Sequence, residues 1–257
     1  MSENLQKEMV SGSVFDACVA ATDEKFLQGR IPHVGQRVSF RDGREFVYCS
    51  TEADFVAGEM VAVQTALAAE FADKLSAAVA GSLEVVLNIY NVQIFGGTVS
   101  TIALNRLAGG YLMLTDDAGE GYSYKIKGNT VQSTTDATHI YTTITLYDPL
   151  KVAVTTATDC CLVGNPYKSV VEGAVALKPI GAAVVPTTGT TAECYFWVQT
   201  KGPATCLGAA TVGVEVASAA SGAVADAAEA GSGVYDRIVG TALATTANGY
   251  ASVWLNL

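Results

Sequence analysis

Charged side chains are scarce in this sequence, and positively charged ones are the scarcest. They make up 16% of the 257 residues, against about a quarter in an ordinary soluble protein. Lys and Arg number 15 against 25 Asp and Glu, which gives a formal net charge of −10 at pH 7. The cluster from Arg37 to Arg44 is interrupted by Asp42 and offers no basic stripe for phosphates. We therefore expect no nucleic-acid partner, whereas so uncharged a surface is typical of one that contacts other protein.

Long apolar runs are also lacking. No stretch reaches about 18 consecutive apolar residues, the length that crosses a bilayer as a helix. The first residues, MSENLQKEMVSGSVFDACVAATDEKF, carry charges where a secretion signal needs an apolar run. We therefore expect no membrane partner, no signal peptide, and a protein that is made in a cytosol and stays soluble there.

Signatures of catalysis and of metal binding are missing as well. The two histidines, His33 and His139, stand in no motif that places a base beside a nucleophile, and no G-x-S-x-G, H-E-x-x-H or phosphate-binding loop occurs. The acidic stretch DDAGEG at 116–121 lacks the spacing of a calcium loop, so a tight turn is the better interpretation. We predict no catalytic residue, no cofactor and no metal, and we expect that the protein is not an enzyme.

The six cysteines form no C-x-x-C pair, which excludes a zinc ribbon. A cytoplasmic protein keeps its thiols reduced, so we interpret the cysteines as small buried apolar residues. They are Cys18, Cys49, Cys160, Cys161, Cys194 and Cys206.

What the sequence does contain is short strands separated by turn residues. RVSFRDGREFVYC predicts a hairpin around the Asp42-Gly43 dipeptide, and YLMLTDDAGEGYSYKIK predicts a second in which Leu112 and Leu114 share one face. A third hairpin is predicted to close the chain around Asn248-Gly249. Strands at this spacing predict an all-β or mainly β fold, with sandwich-like or barrel-like domains.

Three segments depart from the strand pattern. Residues 1–40 are polar with isolated apolar anchors and predict an extended arm, in which Phe15, Phe26 and Ile31 would contact a partner; the alternative is that this segment packs on its own domain. Residues 60–80 are rich in alanine, and large apolar residues recur every four positions, which favours one short helix and leaves a strand as the alternative. Residues 214–233 are rich in small residues and low in complexity, and they predict a mobile loop.

The predicted domain organisation follows from these segments. The arm at 1–40 precedes a β-rich domain at 41–150 and a C-terminal β-rich domain at 151–257. The last two could also form one continuous domain.

An aromatic run, Tyr195-Phe196-Trp197, poses the question of whether it binds a ligand or belongs to a core strand. In a strand Tyr195 and Trp197 face one side and Phe196 the other, so both faces are bulky. A ligand platform would leave one face polar. We therefore predict that Phe196 and Trp197 are buried in the assembled oligomer, that these three residues contribute to a protein interface, and that Gly202-Pro203 turns the chain into a following strand.

Several phrases together resemble a group of tailed-bacteriophage head proteins, the decoration (cement) and other minor structural proteins of the virion. They are DGREFVYC with AGEMV, AGGYLMLTDDAGEGYSYKIKGN, NPYKSVV, ECYFWVQTKGPATCL, and IVGTAL with GYASVWLNL. The similarity spans most of residues 41–257, and the joint order of the phrases carries it. The resemblance implies a β-rich virion protein on the outer capsid surface, commonly a homotrimer, whose partner is the lattice of the major capsid protein and which stabilises the expanded shell.

Three other functions remain open from the sequence. A major capsid protein needs a long spine helix, for which only residues 60–80 qualify. A fibre or tail-associated module that binds a receptor or carbohydrate would use some of the 11 tyrosines as exposed stacking surfaces. A tail-tube protein is the third. The orientation of the aromatic rings discriminates a carbohydrate binder from a stabiliser.

Overall fold

The described part of the chain is built on antiparallel strands joined by turns and loops. The computed structural model describes residues 32–64, 68–71, 74–88, 93–94, 97–98, 102–136, 139–187, 193–227, 237–245 and 248–257, and the short strand at 19–20. Within those residues the only helical element is one 3-10 turn at Ala220–Gly222. The mainly β fold predicted from the sequence is confirmed. The described part of the chain contains no helix of the length and apolarity needed to cross a membrane.

In chain order the strands are β1 Val19–Ala20, β2 Arg37–Ser39, β3 Glu45–Thr51, β4 Met60–Ala62, β5 Ala68–Phe71, β6 Glu84–Asn88, β7 Gln93–Ile94, β8 Gly97–Thr98, β9 Tyr111–Leu114, β10 Ser123–Asn129, β11 Ser133–Asp136, β12 His139–Leu146, β13 Cys160–Val163, β14 Val171–Glu172, β15 Pro179–Ala183, β16 Cys194–Leu207, β17 Glu215–Ser218, β18 Val224–Asp226, β19 Ile238–Thr245 and β20 Tyr250–Asn256.

The strands group into two compact units. One, the split unit, combines Met1–Gln64 with Tyr167–Leu257, and the other, the inserted unit, is the continuous segment Thr65–Pro166. The ends of the split unit that flank the insertion meet each other, because β4 and β14 pair antiparallel. These boundaries differ from the predicted ones at 40/41 and 150/151. The reason is that β3 pairs with β16, a partner about 150 positions further along the chain, and a sequence pattern does not reveal such pairing.

The split unit is built on one 11-stranded sheet in the order β14-β4-β15-β16-β20-β19-β17-β18, with β1, β2 and β3 attached through β16 and β3. One core cluster lies beneath the C-terminal strands and includes Met60, Val216, Val253 and Leu255. A second cluster is aromatic and contains Phe46, Tyr48, Tyr195 and Trp197.

The inserted unit has a seven-stranded sheet in the order β11-β12-β10-β9-β13-β5, with β6 on β12, and a small sheet of β7 and β8. Among the residues whose burial the structure describes, its core includes Leu87, Leu112, Ile126 and Ile144, all from this segment. The unit therefore has a core of its own.

Two of the three predicted hairpins fold as the alternating pattern indicates, and the third differs only in its turn. Tyr124 faces Leu112 across β9 and β10, and both are buried. The terminal hairpin forms from β19 and β20. The β2–β3 hairpin has a three-residue loop rather than a two-residue one, since the Phe40 N–H bonds Arg44 O and Gly43 takes a φ of 88°.

The helix predicted within 60–80 is wrong. Met60–Ala62 and Ala68–Phe71 are strands, and Leu75 and Ala78 make isolated β-bridges. A helical stripe would bury both Leu75 and Val79, yet these side chains are 2% and 74% exposed. β4 is buried on both faces, so its residues do not show the alternation by which a strand is recognised in a sequence. Its pairing in the sheet outweighs the helical preference of alanine.

The mobile loop predicted for 214–233 is also wrong over the residues that the structure describes. Glu215–Ser218 and Val224–Asp226 pair as β17 and β18 around the 3-10 turn. Val216 and Val224 are buried, and small residues between them allow the close approach of neighbouring backbone. Residues 228–233 lie outside the described part of the chain.

Candidate functional site

The aromatic run that the sequence singled out lies at the centre of the split unit, on β16. Tyr195, Phe196 and Trp197 are 8%, 2% and 4% exposed within a single chain. The Trp197 ring lies 5.0 Å from the ring of Tyr48, and on the opposite face Phe196 lies 5.6 Å from Phe55. The burial predicted for Phe196 and Trp197 is therefore reached without a partner, and these rings cannot serve as a ligand platform. Their predicted part in a protein interface stays a prediction.

Hydrogen bonds fix the edge of this aromatic cluster. Glu193 accepts hydrogen bonds from Ser50 Oγ at 2.6 Å and from the Tyr195 hydroxyl at 3.1 Å. Burial, with the nearby Glu193 carboxylate, raises the pKa of Tyr195. The hydroxyl therefore remains a donor at neutral pH, and its role is structural.

The turn predicted at Gly202-Pro203 is wrong, because β16 continues through it to Leu207. The pairing with β3 has a bulge between Gln199 and Lys201, and pairing with β20 begins at Lys201. Gln199 Nε2 donates to the carbonyls of Lys201 at 3.0 Å and Pro203 at 2.9 Å. Gly202 takes a φ of 85°, which a glycine adopts without strain. Pro203 has no backbone N–H and so leaves no donor unpaired, and the strand continues through both residues.

A shallow cleft of about 370 Å³ opens beside this bulge. Its polar lining comes from Arg44, Gln199, Thr205 and Tyr250, and none of the described residues that line it is His, Cys, Asp or Glu. Arg44 is engaged by Asp42 at 2.8 Å and lies over the ring of Phe40 at 5.3 Å. The cleft therefore carries no acid–base pair.

The described cysteines are free thiols. Cys49, Cys160, Cys194 and Cys206 are buried, and Cys161 is half-buried. Burial raises the pKa of Cys160 and of Cys206 to about 12, so both thiols are protonated at neutral pH. The interpretation as small buried residues is confirmed for the four buried ones, while Cys18 lies outside the described residues. Across the described residues no group of three His, Cys, Asp or Glu side chains could hold a metal ion.

Of the predicted arm the structure describes β1 and residues 32–40. Over 32–40 the segment packs on its own unit rather than extending from it, since β2 pairs with β3 and Val38 packs against the aromatic cluster. Phe15, Phe26 and Ile31 lie outside the described residues. Val19 pairs with Tyr195 and Ala20 with Cys194, antiparallel. A short piece of the N-terminal segment therefore adds a strand to β16 beside the aromatic run.

Exposed apolar side chains mark the terminal hairpin. Ile238 and Leu243 on β19 and Trp254 on β20 are each nearly half exposed, Trp254 to 46%. Trp254 lies opposite Thr241 of β19 and Pro203 of β16. We call Ile238, Leu243 and Trp254 the terminal-hairpin patch. The exposure of Trp254 was predictable from the alternation along β20, because Val253 and Leu255 point into the core and Trp254 between them points outward.

A second surface lies on the sheet of the inserted unit. Tyr111 on β9 faces Lys125 on β10, and the N–H of Tyr147 donates to Lys125 O at 3.0 Å, which places these three side chains in one row. Tyr111 is 39% exposed and Tyr147 58% exposed. We call Tyr111, Lys125 and Tyr147 the tyrosine–lysine row. Sequence reasoning missed it, because only the strand register brings its members together.

A buried carboxyl lies in the split unit at Glu59, which is 7% exposed. It accepts a hydrogen bond from the Val56 N–H at 2.7 Å, and the 3-10 turn packs on it so closely that a side chain at Gly222 would clash with it. Burial raises the pKa of Glu59 above its ordinary 4.5, the Val56 bond lowers it, and nearby Glu172 raises it further.

Glu59→Gln should flatten the pH dependence of stability. Because the folded state binds this proton more tightly than the unfolded state, the free energy of unfolding should fall as pH rises above about 4.5. One titrating group limits the slope to about 1.4 kcal/mol per pH unit. Urea unfolding between pH 4 and 8 measures it, with exposed Glu215→Gln as control. Equal slopes in wild type and Glu59→Gln would contradict the assignment.

The chain shows no significant match to any protein-family model, to any curated protein or to any solved structure.

Proposed function

We propose that this chain is a structural protein of a tailed-phage virion, which binds the outer surface of the capsid as a homotrimer and stabilises the expanded shell. The observation that supports a binding role best is the terminal-hairpin patch. Half-exposed Trp254, with Ile238 and Leu243, gives an otherwise folded sheet an apolar surface that a protein partner can cover. The resemblance of the ordered sequence phrases to head decoration proteins is our reason for proposing the capsid as that partner.

The energetics of the patch suit a lattice-bound protein. Tryptophan is among the residues that contribute most to protein interfaces, because one side chain buries a large area with little loss of conformational freedom. One tryptophan with one isoleucine and one leucine gives modest affinity for a single contact. In a trimer on a repeating lattice the contacts act together, so that modest single contacts produce tight attachment.

The strand β1 supports the proposed binding role of the N-terminal arm. It shows that the N-terminal segment can join a sheet by backbone pairing, the mode in which an extended segment clasps another protein. Phe15, Phe26 and Ile31 are the anchors that we propose for such a contact with a capsid subunit or a neighbouring copy.

Trp254→Ala should lower the binding of the protein to capsids by about tenfold or more, since a buried interface tryptophan typically contributes over about 1.4 kcal/mol. Purified protein is added to expanded capsids of the source phage prepared without it, and the bound fraction is measured by sedimentation and imaged. Val79→Ala, at a 74% exposed position of the inserted unit, is the control.

Two results would count against this proposal. Wild-type protein that fails to bind the expanded capsids contradicts the capsid role. Equal binding by wild type and Trp254→Ala contradicts the patch as the contact. Light scattering of the isolated protein tests the trimer, and a monomer at high concentration would overturn that part.

A further inference from the structure

The tyrosine–lysine row has features that a structural role in the inserted unit does not require. The inward neighbours of its members, Leu112, Tyr124 and Leu146, are buried and build the core. Alternation therefore directs Tyr111, Lys125 and Tyr147 away from the core. Two large rings exposed on a sheet face add little to the stability of that sheet.

The polar ends of the row have no partner within the described part of the chain. No carboxylate there lies within 4.0 Å of Lys125, and its ammonium lies 5.8 Å from the centre of the Tyr147 ring. The hydroxyls of Tyr111 and Tyr147 make no hydrogen bond to another described residue. A cation held against a ring, with two free hydroxyls, forms a set of recognition groups that point to solvent.

Local charge sets this surface apart from the rest of the chain. The chain carries a net charge of −10, yet Lys127 follows Lys125 at the next exposed position of β10. Lys125 lies between two uncharged residues, Tyr111 on β9 and Tyr147 after β12, and Lys127 lies at the bulge between Ile126 and Gly128. Exposed acids lie outside the row: Asp148 directly after Tyr147, Glu84 on β6, and Asp116, Asp117 and Glu120 in the loop between β9 and β10. The row is thus a small basic and aromatic patch on an acidic protein, complementary to a ligand of isolated negative charge.

We propose that the tyrosine–lysine row binds an acidic glycan, an oligosaccharide that contains uronic or sialic acid units. Tyrosine rings stack on the apolar C–H faces of sugar rings, the Lys125 ammonium pairs with the carboxylate, and the tyrosine hydroxyls bond sugar hydroxyls. The outer members lie two strands apart, which is roughly 10 Å and comparable to the length of a disaccharide.

A glycan fits this surface better than a nucleic acid does. Single-stranded nucleic acid also stacks on aromatic rings, but it carries a phosphate at every unit and binds through many cations. Two lysines on a chain with a net charge of −10 cannot offset that repulsion. An acidic glycan presents one carboxylate for each one or two sugars, which one or two lysines can satisfy.

Isothermal titration of the full chain with an oligogalacturonate hexamer, a hyaluronan hexamer and sialyllactose tests the proposal, with cellohexaose as the neutral probe and oligo-dT as the nucleic-acid probe. We expect at least one acidic glycan to bind, with affinity that falls as salt rises, and neither cellohexaose nor oligo-dT to bind comparably. Lys125→Ala and Tyr147→Ala should each weaken binding about tenfold, and Lys125→Arg should retain most of it. Lys151→Ala, which removes an exposed lysine of the same unit, is the matched control.

The outcomes separate this proposal from the capsid role. Absence of binding to all three acidic glycans, unchanged affinity in Lys125→Ala, or stronger binding to oligo-dT would each overturn the glycan site. Lys125→Ala should leave capsid binding unchanged, because the terminal-hairpin patch belongs to the split unit. Circular dichroism of Lys125→Ala confirms that any loss of glycan binding reflects the side chain and not the fold.

Discussion

Replacing Trp197 by alanine should reduce the free energy of unfolding of the split unit by about 3–5 kcal/mol. Trp197 is 4% exposed, and its ring packs against Tyr48 within the aromatic cluster that also holds Phe46 and Tyr195. Alanine would leave a cavity among side chains that are fixed by β3 and β16, and paired strands cannot move together to fill it. A loss of this size is a large share of the stability of an ordinary domain.

The chain supplies its own control, because it has two tryptophans. Trp254→Ala removes the same side chain from a 46% exposed position, where less buried area is lost, and should reduce stability by about 1–2 kcal/mol, clearly less than Trp197→Ala. Urea unfolding followed by circular dichroism compares the two variants. Iodide quenching of the wild type should reach Trp254 and spare Trp197. If both alanine variants lose the same free energy, the burial described for Trp197 is contradicted.

Asn129→Ala should destabilise the inserted unit by about 3 kcal/mol, since it leaves buried polar groups unpaired. Asn129 is buried at the end of β10. Its Oδ1 accepts from the Leu107 N–H at 2.9 Å, and its Nδ2 donates to the carbonyls of Ala103 at 3.0 Å and Thr130 at 2.8 Å. One side chain thus holds the loop that brings Leu107 into the core.

Hydrogen exchange resolves where the loss occurs. Amides of β9, β10 and β12 should exchange faster in Asn129→Ala, while those of β16 and β20 should keep their protection. Asn256→Ala, at an exposed position of β20, serves as the control and should have little effect. Uniform loss of protection across both units would show that they unfold as one, against the expectation from their separate cores.

The fold class followed from the sequence because alternation and turn residues are local signals. The pairs Leu112 with Tyr124 and Val253 with Ala242 face inward, as the alternation of their own short segments indicates. Residues 60–80 carry no such signal. β4 is buried on both faces, so its residues do not alternate, and the four-residue recurrence that includes Phe71 and Leu75 runs across separate strands and bridges.

The candidate surfaces were also predictable from the sequence only in part. The burial of Phe196 and Trp197 was predictable from a run with bulky residues on both faces. The residues that cover these two side chains were not predictable, because Phe55 and Tyr48 lie far from β16 along the chain. The long-range pairing of β3 with β16 brings Tyr48 to Trp197. The tyrosine–lysine row depends on register across β9, β10 and β12, including a bulge between Ile126 and Gly128 that no sequence pattern indicates.

The pairing of β4 with β14 links the stabilities of the two units through the chain itself. Val171 pairs with Ala62, so the two strands that flank the insertion lie side by side. The inserted unit, Thr65–Pro166, is the segment of chain that connects them. If Thr65–Pro166 unfolds, the same two ends must be held together across a flexible loop, at an entropic cost on the order of 4 kcal/mol. A substitution deep in the inserted unit can therefore loosen the edge strand of the other sheet without any contact between the altered residue and that strand.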